Sequence, residues 1–274
     1  MSGGSRRCGV LGSPVAHSLS PAVHRAAYAA RGLDWSYDAF EVTEADLPRF
    51  VDGLDRTWRG LSLTMPLKRS VVPLLDEMSW RVEQAEAANT VILQDGRRTG
   101  HNTDVAGVAE AIRERGTRPL GSAVILGGGA TASSALLALA DLGVAEVTLV
   151  VRDEVRARET QEAAARHPDT PTVRVRDFAA PAQRADILVS TIPAVAQTES
   201  VLALAAHVPV VFDVVYDPWP TPLASFARSR GLDLVSGLDL LLHQAFEQFR
   251  LMTGLDDVPR DQMRAAAVRA VHSR

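Results

Sequence analysis

Short apolar runs alternate with helix-like segments along most of the chain. Residues 8–12, 60–64 and 123–126 are apolar runs of strand length, each closed by glycine, proline or hydroxyl residues, which predicts buried strands. A helix is expected from Ser20-Pro21 onward, with the serine as the capping residue and the proline in the first turn. Strands and helices that alternate with short connections predict an α/β protein with largely parallel sheets.

The full set of expected elements follows the same alternation. Strands are predicted at residues 8–12, 35–42, 60–64, 89–93, 97–101, 123–126, 146–151, 172–175, 187–190, 208–214 and 232–235. Helices are predicted at 20–31, 47–54, 68–75, 81–87, 104–115 and 131–142, with two more from 239 onward. The strands at 89–93 and 97–101 flank Asp95-Gly96, which predicts a hairpin.

One tract, residues 119–140, carries no charged side chain and is long enough to cross a membrane. Three consecutive glycines, Gly127 to Gly129, interrupt it between a strand and an alanine-rich helix. That order opens a dinucleotide-binding βαβ unit and is poorly suited to lipid. We therefore predict two α/β domains: a substrate domain of residues 1–104 with helices 239–274 packing back on it, and a Rossmann-type domain of residues 105–238.

Composition narrows the class of protein. The chain has 274 residues, 46% hydrophobic and 23% charged, a net charge of −4 and one cysteine. A single cysteine excludes a disulfide scaffold, and the slight negative charge offers nucleic acid or a membrane surface no general attraction. No apolar segment follows the arginines near the start, so we expect no signal peptide and a cytoplasmic protein. We expect its partners to be small molecules and the protein to be a monomer or a homodimer. His17 and His24 lack further ligands at suitable spacing, so we expect no metal.

The glycine turn reads Gly127-Gly128-Gly129-Ala130-Thr131, close to the dinucleotide fingerprint. At the end of the next strand stand Arg152 and Asp153, with Arg156 one turn on. Arginine there suits the 2′-phosphate of NADP, whereas an acidic residue suits the ribose hydroxyls of NAD. The residues favour NADP and leave NAD open.

Three polar segments precede the glycine turn, and each falls at or just beyond the end of a predicted strand. Open α/β sheets bind their ligands at that place. The segments supply hydroxyls, amides, one lysine and one carboxylate, which fits a small polyhydroxylated acid. They are Ser13 to Pro21, Ser62 to Lys68, and Ala88-Asn89-Thr90 with His101 to Asp104.

In this order the segments resemble the shikimate dehydrogenase family. S-x-S-P matches Ser18 to Pro21, T-x-P-x-K matches Thr64 to Lys68, A-x-N-T matches Ala87 to Thr90, and N-T-D matches Asn102 to Asp104. The resemblance extends over nearly the whole chain. It implies an enzyme that reduces 3-dehydroshikimate to shikimate with NADPH, in the route to chorismate and the aromatic amino acids.

The resemblance also implies roles for individual residues. Lys68 is the expected acid/base, paired with Asp104. The substrate-binding residues it implies are Ser18, Ser20, Thr64, Asn89, Asp104, Tyr216 and Gln244. The cofactor-binding residues it implies are Gly127, Gly128, Gly129, Ala130, Thr131, Arg152, Arg156, Thr191, Ile192, Val214 and Gly237.

Each of these residues also has a purely structural interpretation. Taken singly, Lys68 reads as a solvent-exposed lysine, Asp104 and the two serines as helix caps, and Gln244 as a boundary residue. Ser62 stands where the family commonly has asparagine, which is expected to weaken one contact at the substrate face. Two other functions stay open: an NAD-dependent quinate/shikimate dehydrogenase, and a non-catalytic dinucleotide sensor.

Overall fold

A computed structural model describes residues 4–116 and 119–273, with the side chain of Arg156 outside the description. The chain divides into two compact units, Met1–Thr103 with Leu241–Arg274, and Asp104–Leu240. The sequence prediction divides the chain after residue 104 and before residue 239, one and two residues away from these bounds.

The first unit is built on a six-stranded mixed sheet. In chain order its elements are β1 (Arg6–Gly12), α1 (Ser20–Ala30), β2 (Trp35–Glu41), α2 (Leu47–Asp52), β3 (Trp58–Leu63), α3 (Leu67–Ser70), β4 (Glu77–Met78), α4 (Trp80–Ala85), β5 (Thr90–Gln94) and β6 (Arg97–His101). The strand order is β2-β1-β3-β5-β6-β4. β1 is parallel to β2 and β3, whereas β5 is antiparallel to both β3 and β6.

The second unit holds a fully parallel six-stranded sheet. Its elements are α5 (Thr103–Glu114), which begins at the last residue of the first unit, β7 (Ser122–Leu126), α6 (Ala130–Asp141), β8 (Glu146–Val150), α7 (Arg158–Ala165), β9 (Thr172–Arg176), β10 (Ile187–Ser190), α8 (Glu199–Ala205), β11 (Val210–Asp213), α9 (Pro222–Ser229) and β12 (Asp233–Ser236). The order β12-β11-β10-β7-β8-β9 is the 3-2-1-4-5-6 order of Rossmann folds. Two helices complete the chain, α10 (Gly237–Thr253) and α11 (Arg260–His272).

The uncharged tract becomes β7, the glycine turn and α6. Ala132 to Ala140 of α6 are all buried, so this helix is apolar around its whole circumference because it lies in the core of the second unit. No helix among residues 4–116 and 119–273 is both long and apolar enough to cross a membrane. Within the same residues, no three histidine, cysteine or acidic side chains gather in a way that would hold a metal ion.

The α/β class is confirmed, and so is the hairpin, where Asp95 and Gly96 both take positive φ as its tight turn requires. That hairpin makes the first sheet mixed, so the expectation of largely parallel sheets holds in full only for the second unit. The helix expected at 68–75 is instead the single turn of α3 followed by a 3-10 turn at Val72–Leu74, because Pro73 lacks the amide that a continuous helix needs.

Candidate active site

The polar motifs of the first unit meet at one edge of its sheet. β1 and β3 are parallel, so the residues after Gly12 and after Leu63 leave the same edge. β5 is antiparallel to β3 and starts there, with Ser62 paired to Thr90. β6 ends there, with His101 paired to Thr90. The serine loop, the Thr64 to Lys68 segment, Asn89 and the N-T-D segment are therefore neighbours, as the positions after the predicted strands indicated.

Ser18 and Ser20 lie between β1 and α1, but their local roles differ from the prediction. α1 begins at Ser20 with Leu19 as the preceding residue, and the Ser20 side chain does not cap the helix. Instead the Ser18 hydroxyl accepts the Ser20 N–H at 3.3 Å. The prediction was wrong because α1 begins one residue earlier than expected, so Leu19 takes the capping position and its carbonyl accepts the Val23 N–H at 3.1 Å. Ser20 is buried and Ser18 half-buried.

Thr64 and Lys68 follow β3 on a short, well-held segment. The Thr64 N–H donates to the Leu11 carbonyl at 2.9 Å, which fixes Thr64 beside the end of β1. Lys68 lies in α3, and its carbonyl accepts the Ala88 N–H at 2.7 Å. The Lys68 backbone is thus tied to the residue just before Asn89. The Lys68 side chain is half-buried, so it does not fit the plain solvent-exposed lysine of the competing interpretation.

Asn89 and Gln244 are in direct contact. The Asn89 Nδ2 donates to Gln244 Oε1 at 3.2 Å and to Thr103 Oγ1 at 2.9 Å, while its Oδ1 accepts the Thr103 N–H at 2.8 Å. Asn89 is 2% exposed and Gln244 9%. These two residues are separated by 155 positions in the chain, so α10 returns an amide to the edge where β5 begins.

Asp104 follows Thr103 directly and belongs to the second unit by the division above. It is 5% exposed and lies in the first turn of α5, which begins one residue earlier, so it is not the capping residue of that helix. A nearly buried carboxylate needs hydrogen-bond partners, and Asp104 has such interactions. The N-cap interpretation of Asp104 is therefore wrong, and its chemical role stays a prediction.

The glycine turn lies at the switch point of the second sheet, between β7 and β10. Gly127 has φ +107°, a conformation that residues with a side chain rarely adopt, and a Cβ there would stand 2.4 Å from Thr191 Oγ1. Gly129 precedes α6 in extended conformation, and a Cβ added to it would meet nothing within 4 Å. Gly128, Ala130 and Thr131 complete the turn and the start of this 12-residue helix. Open space over a helix N-terminus is what an approaching pyrophosphate requires.

The other cofactor candidates follow neighbouring parallel strands. Thr191 and Ile192 come after β10, and Thr191 Oγ1 donates to the Leu126 carbonyl at 2.8 Å. Val214 follows β11, and Gly237 begins α10 after β12. A Cβ on Gly237 would lie 2.2 Å from the Val214 carbonyl oxygen, so these two backbones touch. Tyr216, the remaining substrate candidate, also follows β11 and is half-buried.

Arg152 and Asp153 come just after β8, and both are exposed. The Asp153 carboxylate accepts the Val155 N–H at 2.9 Å and so caps the 3-10 turn Glu154–Ala157. The side chain of Arg156 lies outside the described residues. Arg152 lines a depression of about 610 Å³ together with Arg176 at the end of β9.

Three residues near these groups were missed as candidates from the sequence. Thr103 was read only as part of its motif, although it contacts both atoms of the Asn89 amide. Arg176 gave no signal, because β9 looked like an ordinary strand. Gln248 did leave a signal, since it lies four positions after Gln244 and so on the same helix face.

The described geometry defines a class: an α/β protein of two units, one with a polar edge rich in hydroxyls and amides and the other with a Rossmann sheet and its glycine turn. Family models for the "Shikimate dehydrogenase substrate binding domain" and the "Shikimate 5'-dehydrogenase C-terminal domain" match residues 10–91 and 237–268. A shikimate dehydrogenase (NADP(+)) of Symbiobacterium thermophilum is 36% identical, covering 98% of this chain and 96% of its own. The chain belongs to the shikimate dehydrogenase family.

Solved structures agree with this assignment. The shikimate dehydrogenase of Mycobacterium tuberculosis superposes with a TM-score of 0.88 at 39% identity, over 96% of this chain and 99% of that one. A quinate dehydrogenase of Corynebacterium glutamicum in complex with NAD superposes with a TM-score of 0.84 at 30% identity, over 97% and 99%. The fold is therefore shared by relatives that differ in acid and in cofactor.

Proposed function

We propose that this chain catalyses the reversible reduction of 3-dehydroshikimate to shikimate with NADPH. The observation that carries the proposal is the meeting of the serine loop, the Thr64–Lys68 segment, Asn89 and Gln244 at one edge of the first sheet. A polyhydroxylated acid needs hydroxyl and amide partners of this kind. The full-length relative named as an NADP(+) shikimate dehydrogenase supports the same substrate and cofactor.

The proposed chemistry uses few groups of the chain. NADPH, when bound, supplies the hydride. Lys68 then donates a proton to the oxygen that becomes the alcohol and takes it back in the reverse direction, with Asp104 keeping the lysine oriented. Ser18, Ser20 and Tyr216 bind the carboxylate, whereas Thr64, Asn89, Asp104 and Gln244 bind the ring hydroxyls.

The second unit fits a dinucleotide on its own geometry. Gly127 admits no Cβ, Gly129 has open space above it, and the N–H groups at the start of α6 suit a pyrophosphate. Gly128, Ala130 and Thr131 would complete this cradle. Thr191, Ile192, Val214 and Gly237 would border the nicotinamide.

The choice of NADP over NAD rests on the end of β8. One carboxylate oxygen of Asp153 already accepts the Val155 N–H, which makes Asp153 a poorer partner for ribose hydroxyls. Arg152 and Arg176 line the same depression, which Glu154 and Asp177 also line, and two guanidinium groups suit a 2′-phosphate. Arg156 is proposed as a further contact. The exposed Asp153 is the one observation that favours the second candidate, an NAD-dependent quinate/shikimate dehydrogenase.

Initial rates with each combination of NADP⁺ or NAD⁺ and shikimate or quinate test the proposal. We expect the highest kcat/KM with NADP⁺ and shikimate. A clear NAD⁺ preference with good quinate turnover would establish the second candidate, and no turnover with any pair would leave the dinucleotide sensor. The proposal includes a cytoplasmic location. It also includes a monomer or a homodimer, and size-exclusion chromatography with light scattering would distinguish these two states.

A further inference from the structure

Four buried polar side chains of the first unit are not among the predicted site residues. Tyr37 and His24 are fully buried, Gln248 is 1% exposed and Ser62 4%. Burying a hydroxyl or an amide costs free energy unless it forms hydrogen bonds, so each of these four side chains is expected to have a partner.

Their hydrogen bonds form one connected chain. The Tyr37 hydroxyl donates to Ser62 Oγ at 2.6 Å, and Ser62 Oγ donates to Gln248 Oε1 at 3.0 Å. On its other side, Gln248 Nε2 donates to Thr90 Oγ1 at 3.0 Å, and Thr90 Oγ1 donates to Asn89 Oδ1 at 3.0 Å. Every step points from Tyr37 towards the Asn89 amide. The Ser62 hydroxyl is therefore engaged inside the unit, and the expectation that Ser62 weakens one contact at the substrate face stays a prediction.

His24 fixes the direction of the Gln248 amide. Its Nε2 lies 3.3 Å from Gln248 Oε1, so the ring nitrogen donates to an oxygen that Ser62 also approaches as a donor. The His24 ring stacks on Tyr37, with centroids 4.3 Å apart and planes within 1°. Burial lowers the pKa of His24 to about 4, so the ring is neutral at ordinary pH. A reversed Gln248 amide would turn its N–H groups towards these donors.

One end of this chain is a substrate candidate. The Asn89 Oδ1 receives Thr90 and Thr103 donors, so its Nδ2 faces Gln244. The buried chain therefore fixes the orientation of the amide proposed for a ring hydroxyl.

We propose that Gln248 is a positioning residue: it holds the Asn89 amide through Thr90, and Ser62 and Tyr37 hold the Gln248 amide in turn. The inference rests on the proposed function, since it takes Asn89 to bind the acid. It adds a residue that orients a binding group without touching the substrate.

The test compares variants of the whole chain in shikimate oxidation with NADP⁺. Gln248→Met keeps the volume and removes every hydrogen bond of the amide. We expect KM for shikimate to rise about tenfold, within the range of measured coupling between residues, with a smaller change in kcat and an unchanged KM for NADP⁺. Adding Asn89→Ala to Gln248→Met should give no further loss beyond that of Asn89→Ala alone, because both changes act on one amide.

The tyrosines supply a matched control. Tyr37→Phe removes the donor to Ser62 and should raise KM for shikimate about threefold, a smaller effect in the same range. Tyr28→Phe makes the same change at a buried ring whose hydroxyl contacts the Met252 sulfur at 3.8 Å, outside the chain of hydrogen bonds through Gln248, and should leave KM unchanged. If Gln248→Met does not fold, the comparison of Tyr37→Phe with Tyr28→Phe tests the inference by itself.

Three results would overturn the inference: losses that multiply in the Gln248→Met/Asn89→Ala double variant, an equal rise in KM for NADP⁺, or tyrosine variants that behave alike. Each would mean that Gln248 and Tyr37 support the fold generally. The proposed function fails by a different result, namely a folded wild-type chain without shikimate turnover, and the inference falls with it.

Discussion

The glycine turn permits a paired test in which one substitution disturbs the fold and its neighbour disturbs only the ligand. Gly127→Ala forces a side chain on φ +107° and places its Cβ 2.4 Å from Thr191 Oγ1. The backbone strain costs of the order of 1–3 kcal/mol. Displacing Thr191 also breaks its 2.8 Å hydrogen bond to the Leu126 carbonyl, for about 1 kcal/mol more. We expect a loss of about 2–4 kcal/mol in the free energy of unfolding.

Gly129→Ala is the control in the same turn. Gly129 has φ −89° and an added Cβ meets nothing within 4 Å, so stability should stay within about 0.5 kcal/mol of wild type. Its methyl group stands where the pyrophosphate approaches, so it should lengthen hydrogen bonds worth roughly 1.5–3 kcal/mol and raise KM for NADP⁺ about tenfold.

Thermal unfolding and initial rates on both variants provide the readout. Gly127→Ala should lower Tm by roughly 10 °C, whereas Gly129→Ala should leave Tm in place and change KM for NADP⁺. Equal Tm values for Gly127→Ala and wild type would refute the steric argument. If Gly129→Ala unfolds at as low a temperature as Gly127→Ala, the space above Gly129 is not open and cannot be the place where the ligand approaches.

Two further predictions concern charge. Because burial lowers the pKa of His24 from 6.5 to about 4, only the unfolded chain gains this proton as pH falls between those values, so stability should drop by about 3 kcal/mol across that window. Urea unfolding of wild type and His24→Gln at pH 7 and pH 4.5 checks this, and parallel losses in the two proteins would contradict it. Arg152→Ala should raise KM for NADP⁺ about tenfold and leave KM for NAD⁺ unchanged, since only NADP carries the 2′-phosphate. Arg174→Ala, which removes an arginine of β9 that is paired with Glu146 of β8, is its control, and equal effects of the two variants would rule out a specific contact.

The sequence predicted every strand of the second unit together with α5 and α6, because their signals are local, but it did not predict α7, α8 or α9. Buried parallel strands read as continuous apolar runs, and the three glycines mark the turn between β7 and α6. β4 (Glu77–Met78) was missed because two residues carry no periodicity. Ser20 was misread because a serine before a proline fits the capping position, whereas α1 begins at Ser20 itself and Leu19 precedes it.

The candidate site also has a part that local sequence signals predict and a part that they do not. The motifs after β1, β3 and β6 and the motif before β5 were found because these strand ends converge at one edge of the sheet. The pairing of Asn89 with Gln244, and of Gln248 with Thr90, joins residues more than 150 positions apart. No local pattern determines how α10 is placed against β5, so the contact of Gln248 with Thr90 could be recognised only in the folded unit.

The role of Lys68 is the central claim, and one comparison tests it most directly: kcat for shikimate oxidation with NADP⁺ in wild type and Lys68→Ala, with shikimate affinity measured by calorimetry on the same samples. We expect kcat to fall by about a hundredfold or more, as for loss of a general acid/base, while the dissociation constant for shikimate changes much less. A Lys68→Ala variant with wild-type kcat would contradict the account.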